Sequence, residues 1–292
     1  MMLSLAELST MTFMGILLMI FLGFFIGIIT SISGIGGGAI IMPFLLLILN
    51  MDHNYAKGTS LFLILLSSGI ATLYNIKQKK ISISIILFTS FFGILGSISC
   101  FIFQKYLIIE ERIFFILFGL FEVIMAFRMI FKAKLELKNI SKSSITLDPS
   151  IDKSISPSNS ILKIEHNSFW TNKRVFRASP FFFVTGFLTT FFGIGGGPIT
   201  TPVFHEILHM PITSAIASSS AMIFVNSIIN VIYYGIQGEI QWVFGVIIGI
   251  GMMVGSYTGV FLSNHISKSM VYFLIGILLG ILGTVMIIGF FV

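Results

Sequence analysis

Apolar residues come in long blocks divided by short polar stops, without the strict alternation that marks a half-buried strand. Read in order, the blocks cover residues 13–32, 56–76, 81–103, 113 to about 130, 181–192, 212–234, 242–262 and 270–291, and each is predicted to be helical. Two shorter apolar stretches, 39–49 and 198–208, cannot span alone, since a hydrocarbon core about 30 Å thick needs about 20 helical residues. The stops are polar or charged: Asn50, Asp52, His53 and Asn54, then the basic turn Lys77-Gln78-Lys79-Lys80, then Lys105, Glu110, Glu111 and Arg112. Residues 1–12 read as a short polar tail, with Glu7 as the first charge and no basic leader, and are expected to begin the mature protein.

The pattern repeats. The stretch from Thr30 to Pro43 recurs from Thr189 to Pro202, at an offset of 159 residues. At that offset Gly34, Gly36, Gly37, Gly38 and Pro43 fall on Gly193, Gly195, Gly196, Gly197 and Pro202. The expected fold is therefore all-α and polytopic, with two homologous repeats, each a glycine-broken helix pair followed by three spans. Residues 1–131 form the first membrane repeat, 132–178 a hydrophilic cytoplasmic linker, and 179–292 the second membrane repeat. The linker is rich in Ser, Lys, Asn and Asp and carries Pro149 and Pro157, a composition that cannot bury enough apolar surface to order itself.

Composition places the chain in a membrane. With 56% hydrophobic and 10% charged residues and a mean hydropathy of +1.04, it lies far from soluble domains, where about a quarter of residues are charged. A closed barrel would show alternating segments of about 10 residues, and none is visible. The net charge of +6 does not indicate a nucleic-acid surface, because ten of the 17 Lys and Arg lie between Arg128 and Arg177. Lys77, Lys79, Lys80 and the linker are accordingly predicted to face the cytoplasm. If each broken pair is a re-entrant hairpin, the repeats are inverted, with Glu239 outside and Lys268 inside. Trp242, Tyr233 and Tyr234 sit at span ends, where aromatic belts belong. Cys100 is the only cysteine, so neither a disulfide nor a cysteine metal cluster is expected. No cofactor and no enzymatic activity are expected.

Glycine clusters are costly in helices, about 1 kcal/mol per residue relative to alanine. Irregular backbone within a bilayer survives only when buried in protein or lining a water-filled cavity, and matched breaks in two repeats point to a transporter's binding site. Pro198 suits the first turn of the helix that follows the second break. A helix start there offers free amides and the positive end of the dipole to an anion. No Lys or Arg lies in the apolar middle of any predicted span, so these amides are the expected positive groups. Ser60 and Ser219, in Thr59-Ser60 and Ser218-Ser219-Ser220, also match at the offset and would complete the cradle. The alternative is that glycine and serine only permit close helix packing.

The twice-occurring G-x-G-G-G-x-x-x-x-P stretch, one per half and joined by a hydrophilic linker, resembles the TauE/SafE family of membrane transporters, the sulfite exporters. The resemblance implies a permease of about eight nominal spans for small sulfur-containing anions such as sulfite or sulfonates. Its expected partners are the small anionic substrate, the lipid bilayer, and protons or another coupling ion.

Other residues carry narrower readings. Glu122 is an acid in mid-span, a candidate coupling residue; the alternative is a pairing with a polar neighbour or with Arg128 near the span end. His205-Glu206-Ile207-Leu208-His209 spells the helical zinc motif H-E-x-x-H, so an intramembrane metalloprotease is a competing hypothesis. It lacks an evident third ligand, and the matching positions are Leu46, Leu47 and Asn50. His205 and His209 are better read as interfacial residues at a helix C-terminus. Asn75, Asn226, Asn230, Tyr74 and Tyr233 either line the path or bond between helices. An anion channel is the third reading, with few charges to line a pore.

Overall fold

The computed structural model describes residues 13–34, 36–106, 110–143, 173–263 and 268–289, and among them every regular element is helical. In order these are α1 (Phe13–Ser33), α2 (Gly38–Pro43) continued by a π-helical turn (Phe44–Ile48), α3 (His53–Lys77), α4 (Ile83–Tyr106) and α5 (Glu111–Ser143). After residues 144–172 come α6 (Lys173–Phe192), α7 (Gly197–Pro202) continued by a π-helical turn (Val203–Ile207), α8 (Ile212–Ile236), α9 (Trp242–Leu262) and α10 (Lys268–Gly289). Eight of these helices are long and apolar enough to cross a membrane: all but α2 and α7. The bounds of α2, its π turn and α3 recur without any shift in α7, its π turn and α8 at the offset of 159.

Local chemistry sets several bounds. Asp52 caps α3 by accepting from the Asn54 amide at 2.9 Å, so His53 and Asn54, expected as a polar stop, lie inside the helix. That places Lys57 more than a turn beyond the cap. Pro43 and Pro202 each end a short α-helix. A proline withholds its amide from the carbonyl four residues back, and the chain widens into a π turn directly after each. Pro180 sits inside α6, and the carbonyl it leaves without an amide, that of Phe176, accepts from Ser179 Oγ at 2.7 Å. Helix extends into both ends of the predicted linker: α5 runs on to Ser143 and α6 begins at Lys173. The rest of the linker and the N-terminal tail lie outside the described residues.

Glycines set the helix pairings. Gly251, Gly255 and Gly259 of α9 press on the backbone of Ile20, Phe24 and Ile28 of α1, so the two helices run parallel with their backbones nearly touching. Thr59, Phe62 and Tyr74 of α3 meet Gln241, Trp242 and Tyr257 at successive levels, so α3 is parallel to α9 as well. Phe88 and Phe103 of α4 lie by Phe176 and Phe187 of α6, another parallel pair. By contrast Gly119 faces Gly283 and Ile287 while Ile130 faces Gly276, making α5 and α10 antiparallel. The five-residue connections after α3 and α8 reverse the chain. Hence α1, α3, α5 and α9 run one way and α4, α6, α8 and α10 the other. Residues 78–82 and the ends that flank 144–172 share one face, the linker face; residues 49–52 and 237–241 lie on the opposite face.

The long helices α3 and α8 are the most enclosed of the eight and pack on each other at the centre. Large apolar side chains such as Leu17, Phe21, Leu87, Phe127, Ile250 and Leu274 are exposed on the periphery, as a lipid-facing surface requires. Serines, threonines and asparagines collect on α3 and α8 instead, with Ser60, Ser67, Asn75, Ser218, Ser227 and Asn230 all buried.

Candidate functional site

The two glycine breaks meet at the bundle centre. A methyl group added at Gly38 would fall 2.5 Å from Ile194 Cα, and one at Gly36 would fall 3.7 Å from Gly195 Cα. Hydroxyls from each half hold the carbonyls of the other. Ser60 Oγ donates to the Gly193 carbonyl at 2.7 Å, and Ser219 Oγ and Thr201 Oγ1 donate to the Gly34 carbonyl at 3.3 and 3.2 Å. Ser219 and Thr200 share a further bond of 2.7 Å. The serines proposed as ligands thus also fix the shape of the breaks.

Gly37 caps α2 at φ 84° and Gly196 caps α7 at φ 72°. These are left-handed positions that a β-carbon disfavours. Neither cap offers a side-chain acceptor, so the amides that open α2 and α7 are left to other partners. All of Gly34, Gly36, Gly37, Gly38, Gly193, Gly195, Gly196 and Gly197 are buried. Pro198 occupies the first turn of α7 as expected, and Pro43 and Pro202 mark where the short helices widen.

Two cavities flank the breaks from opposite faces. On the linker face a cavity of about 10 Å³ is lined by Ser31, Asn75, Lys80, Thr213, Ile216 and Ser263 among others. On the opposite face a cavity of about 500 Å³ is lined by Asn54, Phe101, Gln104, Lys105, Tyr233 and Glu239 among others. The first has room for one water at most, whereas the second is in the range of ligand pockets. Four lining positions correspond at the offset of 159: Asn54 with Thr213, Phe101 with Val260, Gln104 with Ser263 and Glu239 with Lys80. Next to the lining residues Tyr233 and Gln104 lies Tyr234, whose hydroxyl is 3.2 Å from both Gln104 Oε1 and the Thr190 carbonyl and shares its proton between them.

Electrostatics also differ between the two. Burial pushes the Glu239 carboxyl above the usual carboxylate range, against the pull of Lys57 and with a small further push from Asp52. Burial pushes the Lys80 ammonium below the usual lysine range.

No Lys or Arg was expected in the apolar middle of a span, and Lys57, at the start of one, was passed over as a site residue. It is 5% exposed and flanks the second break, with its Cα 3.1 Å and its Cγ 3.3 Å from the point where a methyl on Gly193 would sit. Its ammonium lies 5.3 Å from the Phe114 ring centroid. The counterpart of Lys57 is Ile216, which packs in the same way against Gly34. Matching the halves position by position gives the signal: the run Lys57-Gly58-Thr59-Ser60 answers to Ile216-Ala217-Ser218-Ser219, with a lysine where the other half has isoleucine. Gln104 and Tyr234 were also missed as site residues. Tyr234, expected in an aromatic belt, is 1% exposed because its ring packs near Phe101 and Tyr233.

The remaining candidates separate. Glu122 is buried on the α5–α10 seam against Gly283, and among the described residues neither carboxyl oxygen has a hydrogen-bond partner. Its expected partner, Arg128, instead meets Glu206 at 3.8 Å. The H-E-x-x-H stretch does not form the helical motif. His205 lies in a π turn and bonds the Met210 carbonyl at 2.8 Å, while His209 lies beyond it at φ 53°. Among the described residues no cluster of three or more metal-ligating side chains occurs. Asn75 lines the narrow cavity and Tyr233 the wide one. Tyr74 packs against Tyr257; Asn230 accepts from Thr190 Oγ1 at 2.7 Å and donates to the Asn226 carbonyl at 3.0 Å, whereas Asn226 Oδ1 is buried with no hydrogen-bond partner among the described residues.

Eight apolar helices around two paired irregular segments, with a cavity on each face, describe a multi-pass membrane protein of the transporter class. The family profile described as Sulfite exporter TauE/SafE matches residues 19–286, and the chain belongs to that family. It is similar to the probable membrane transporter protein YunE of Bacillus subtilis, 25% identical over 77% of this chain and 80% of the relative. It is also similar to the probable membrane transporter protein MJ0441 of Methanocaldococcus jannaschii, 29% identical over 74% of this chain and 71% of the relative. No solved structure matches the chain.

Proposed function

We propose that this protein is a secondary transporter that carries a small sulfur-containing anion, such as sulfite or an organosulfonate, by alternating access through the paired glycine breaks. Residues 1–131 and 179–292 act as two homologous halves of opposite orientation, with the linker on the cytoplasmic side. The observation that carries this reading is the meeting of the two breaks at the bundle centre, flanked by corresponding cavities of very unequal size. One face is open and the other shut, and a rocking of one half against the other would exchange them. Backbone amides at the starts of α2 and α7 supply the positive ends that an oxyanion needs. Glu122, enclosed without a partner, is the candidate coupling residue for a proton or another ion.

The test is flux of labelled sulfite and isethionate into proteoliposomes, with acetate as the control. Saturable, gradient-driven uptake is expected in the wild type. Gly37→Val and Gly196→Val are expected to abolish it, because each adds a branched side chain at a left-handed position against Thr30 or against Thr185 and Thr189. Insertion is checked by a monodisperse elution profile. Normal transport by either variant overturns the site. Unsaturated ohmic current would instead identify a channel, and zinc-dependent peptide cleavage a protease.

A further inference from the structure

A buried ammonium normally has a carboxylate or several acceptors around it, because an unpaired charge in a protein interior costs several kcal/mol. Lys57 departs from that rule. It is 5% exposed, and among the described residues it has neither a hydrogen-bond acceptor nor a carboxylate within ion-pair distance. Its one close partner is the face of Phe114. A cation–π contact is worth about 0.5–2 kcal/mol, less than the hydration the ammonium has given up.

Its surroundings supply a route and a reason for this. Asn54, less than one helical turn before Lys57, lines the wide cavity, and so does Glu239 across it. The main chain of Glu239 is pressed on Gly58, the residue that follows Lys57. On its inner side Lys57 touches the second glycine break at Gly193, whose carbonyl is already held by Ser60. The lysine therefore stands between the foot of a cavity of about 500 Å³ and the point where the two breaks meet.

We propose that Lys57 is the cationic ligand for the transported anion on the open face, and that Glu239, across the cavity and beyond ion-pair distance, is the through-space charge that offsets Lys57 until the oxyanion arrives. The proposal rests on the anion-transport reading above and adds to it a named charge and a polarity. Only one of the two corresponding positions beside the breaks carries a lysine, so the charge next to the glycines is on the open face alone. The narrow cavity has Ile216 at that place, with its one cation, Lys80, in the connection after α3. An oxyanion bound at Lys57 would have the ammonium on one side and the polar cavity residues Asn54 and Gln104 on the other. It would move inward to the break amides when Tyr234 releases Gln104 and Thr190.

Equilibrium binding of labelled isethionate and sulfite to the purified full chain tests this. Lys57→Met keeps the length and apolar stem of the side chain, so folding is expected to survive, and anion affinity is expected to fall about 10- to 100-fold, the scale of one charge-assisted contact. Lys57→Arg is expected to stay within about threefold of wild type, since the charge is retained. Glu239→Gln is expected to tighten binding in the wild-type background and to have no effect beside Lys57→Met, which is the coupling that a double-mutant cycle reads. Binding by Lys57→Met within twofold of wild type, or equal effects of Glu239→Gln in both backgrounds, overturns the assignment of Lys57 while leaving the transport reading intact. Absence of anion binding and of flux in the wild type overturns the transport reading and this inference with it.

Discussion

The cavities on the two faces are built from corresponding positions, yet one is about fifty times the volume of the other, about 500 Å³ against about 10 Å³. Local sequence does not account for this, since Asn54 and Thr213, or Gln104 and Ser263, are all small or medium polar residues. The wide cavity lies where α3 begins and α8 ends, and the narrow one where α3 ends and α8 begins. Under the alternating-access proposal, this arrangement is one of two interconverting states. Under that proposal the side chains that differ between the halves, Lys57 against Ile216 and Glu239 against Lys80, would bias which state is occupied and which face receives the charge.

The sharpest way to break this comparison is to measure access at matched positions. With the buried Cys100 replaced by alanine, Asn54→Cys is expected to react with an impermeant maleimide about 10- to 1,000-fold faster than Thr213→Cys, because a closed face opens only as a minor population. Equal rates would mean that the two faces open equally often. A smaller effect should distinguish the two breaks. The Gly193 carbonyl has Ser60 as its hydroxyl donor, whereas the Gly34 carbonyl has both Ser219 and Thr201. Ser60→Ala should therefore lower stability by about 1–3 kcal/mol, the penalty of a buried unsatisfied acceptor, and Ser219→Ala by about 0.5–1.5 kcal/mol. Thermal midpoints in one detergent check this, and the reverse order would show that the breaks are held by something else.

The smallest expected effect is a pH dependence. Glu239 has its carboxyl raised above the usual range by burial, with Lys57 opposing and Asp52 adding a little. As pH falls through that raised value the carboxylate is lost and no longer competes for Lys57. Anion affinity should therefore rise toward acid pH by about 1.5- to 5-fold, the scale of a partly exposed charge pair. In Glu239→Gln the profile should be flat across that window. A wild-type profile that falls toward acid pH would contradict the arrangement.

The membrane class, the eight long helices and the positions of the glycine breaks were legible in the block pattern, because hydropathy and glycine placement are local signals. The α9 bounds, Trp242–Leu262, coincide with the predicted block of residues 242–262. Lys57 was hidden for a long-range reason. A lysine in the first turns of a span reads as an interfacial residue, and only Phe114 of α5 and the second break, far away in sequence, bury it. Tyr234 was misread similarly: it lies near a span end, but α4 and α6 close over it. The extension of α5 past the apolar block was missed because hydropathy marks where lipid ends, not where backbone hydrogen bonding ends. The inequality of the two cavities has no local signature, since it depends on how whole helices lean.

The leading helix of each half is seated on the third long helix of the other, α1 on α9 and α6 on α4, through glycines with no room for a methyl group. Gly255 meets the Phe24 carbonyl and Gly96 that of Phe183. Neither portion of the polypeptide, made alone, could cover the groove that its counterpart fills. Severing the chain within 144–172 should accordingly leave fragments that are unstable apart yet reassemble when co-expressed, and biogenesis should reach completion only after the last third of the chain has entered the bilayer.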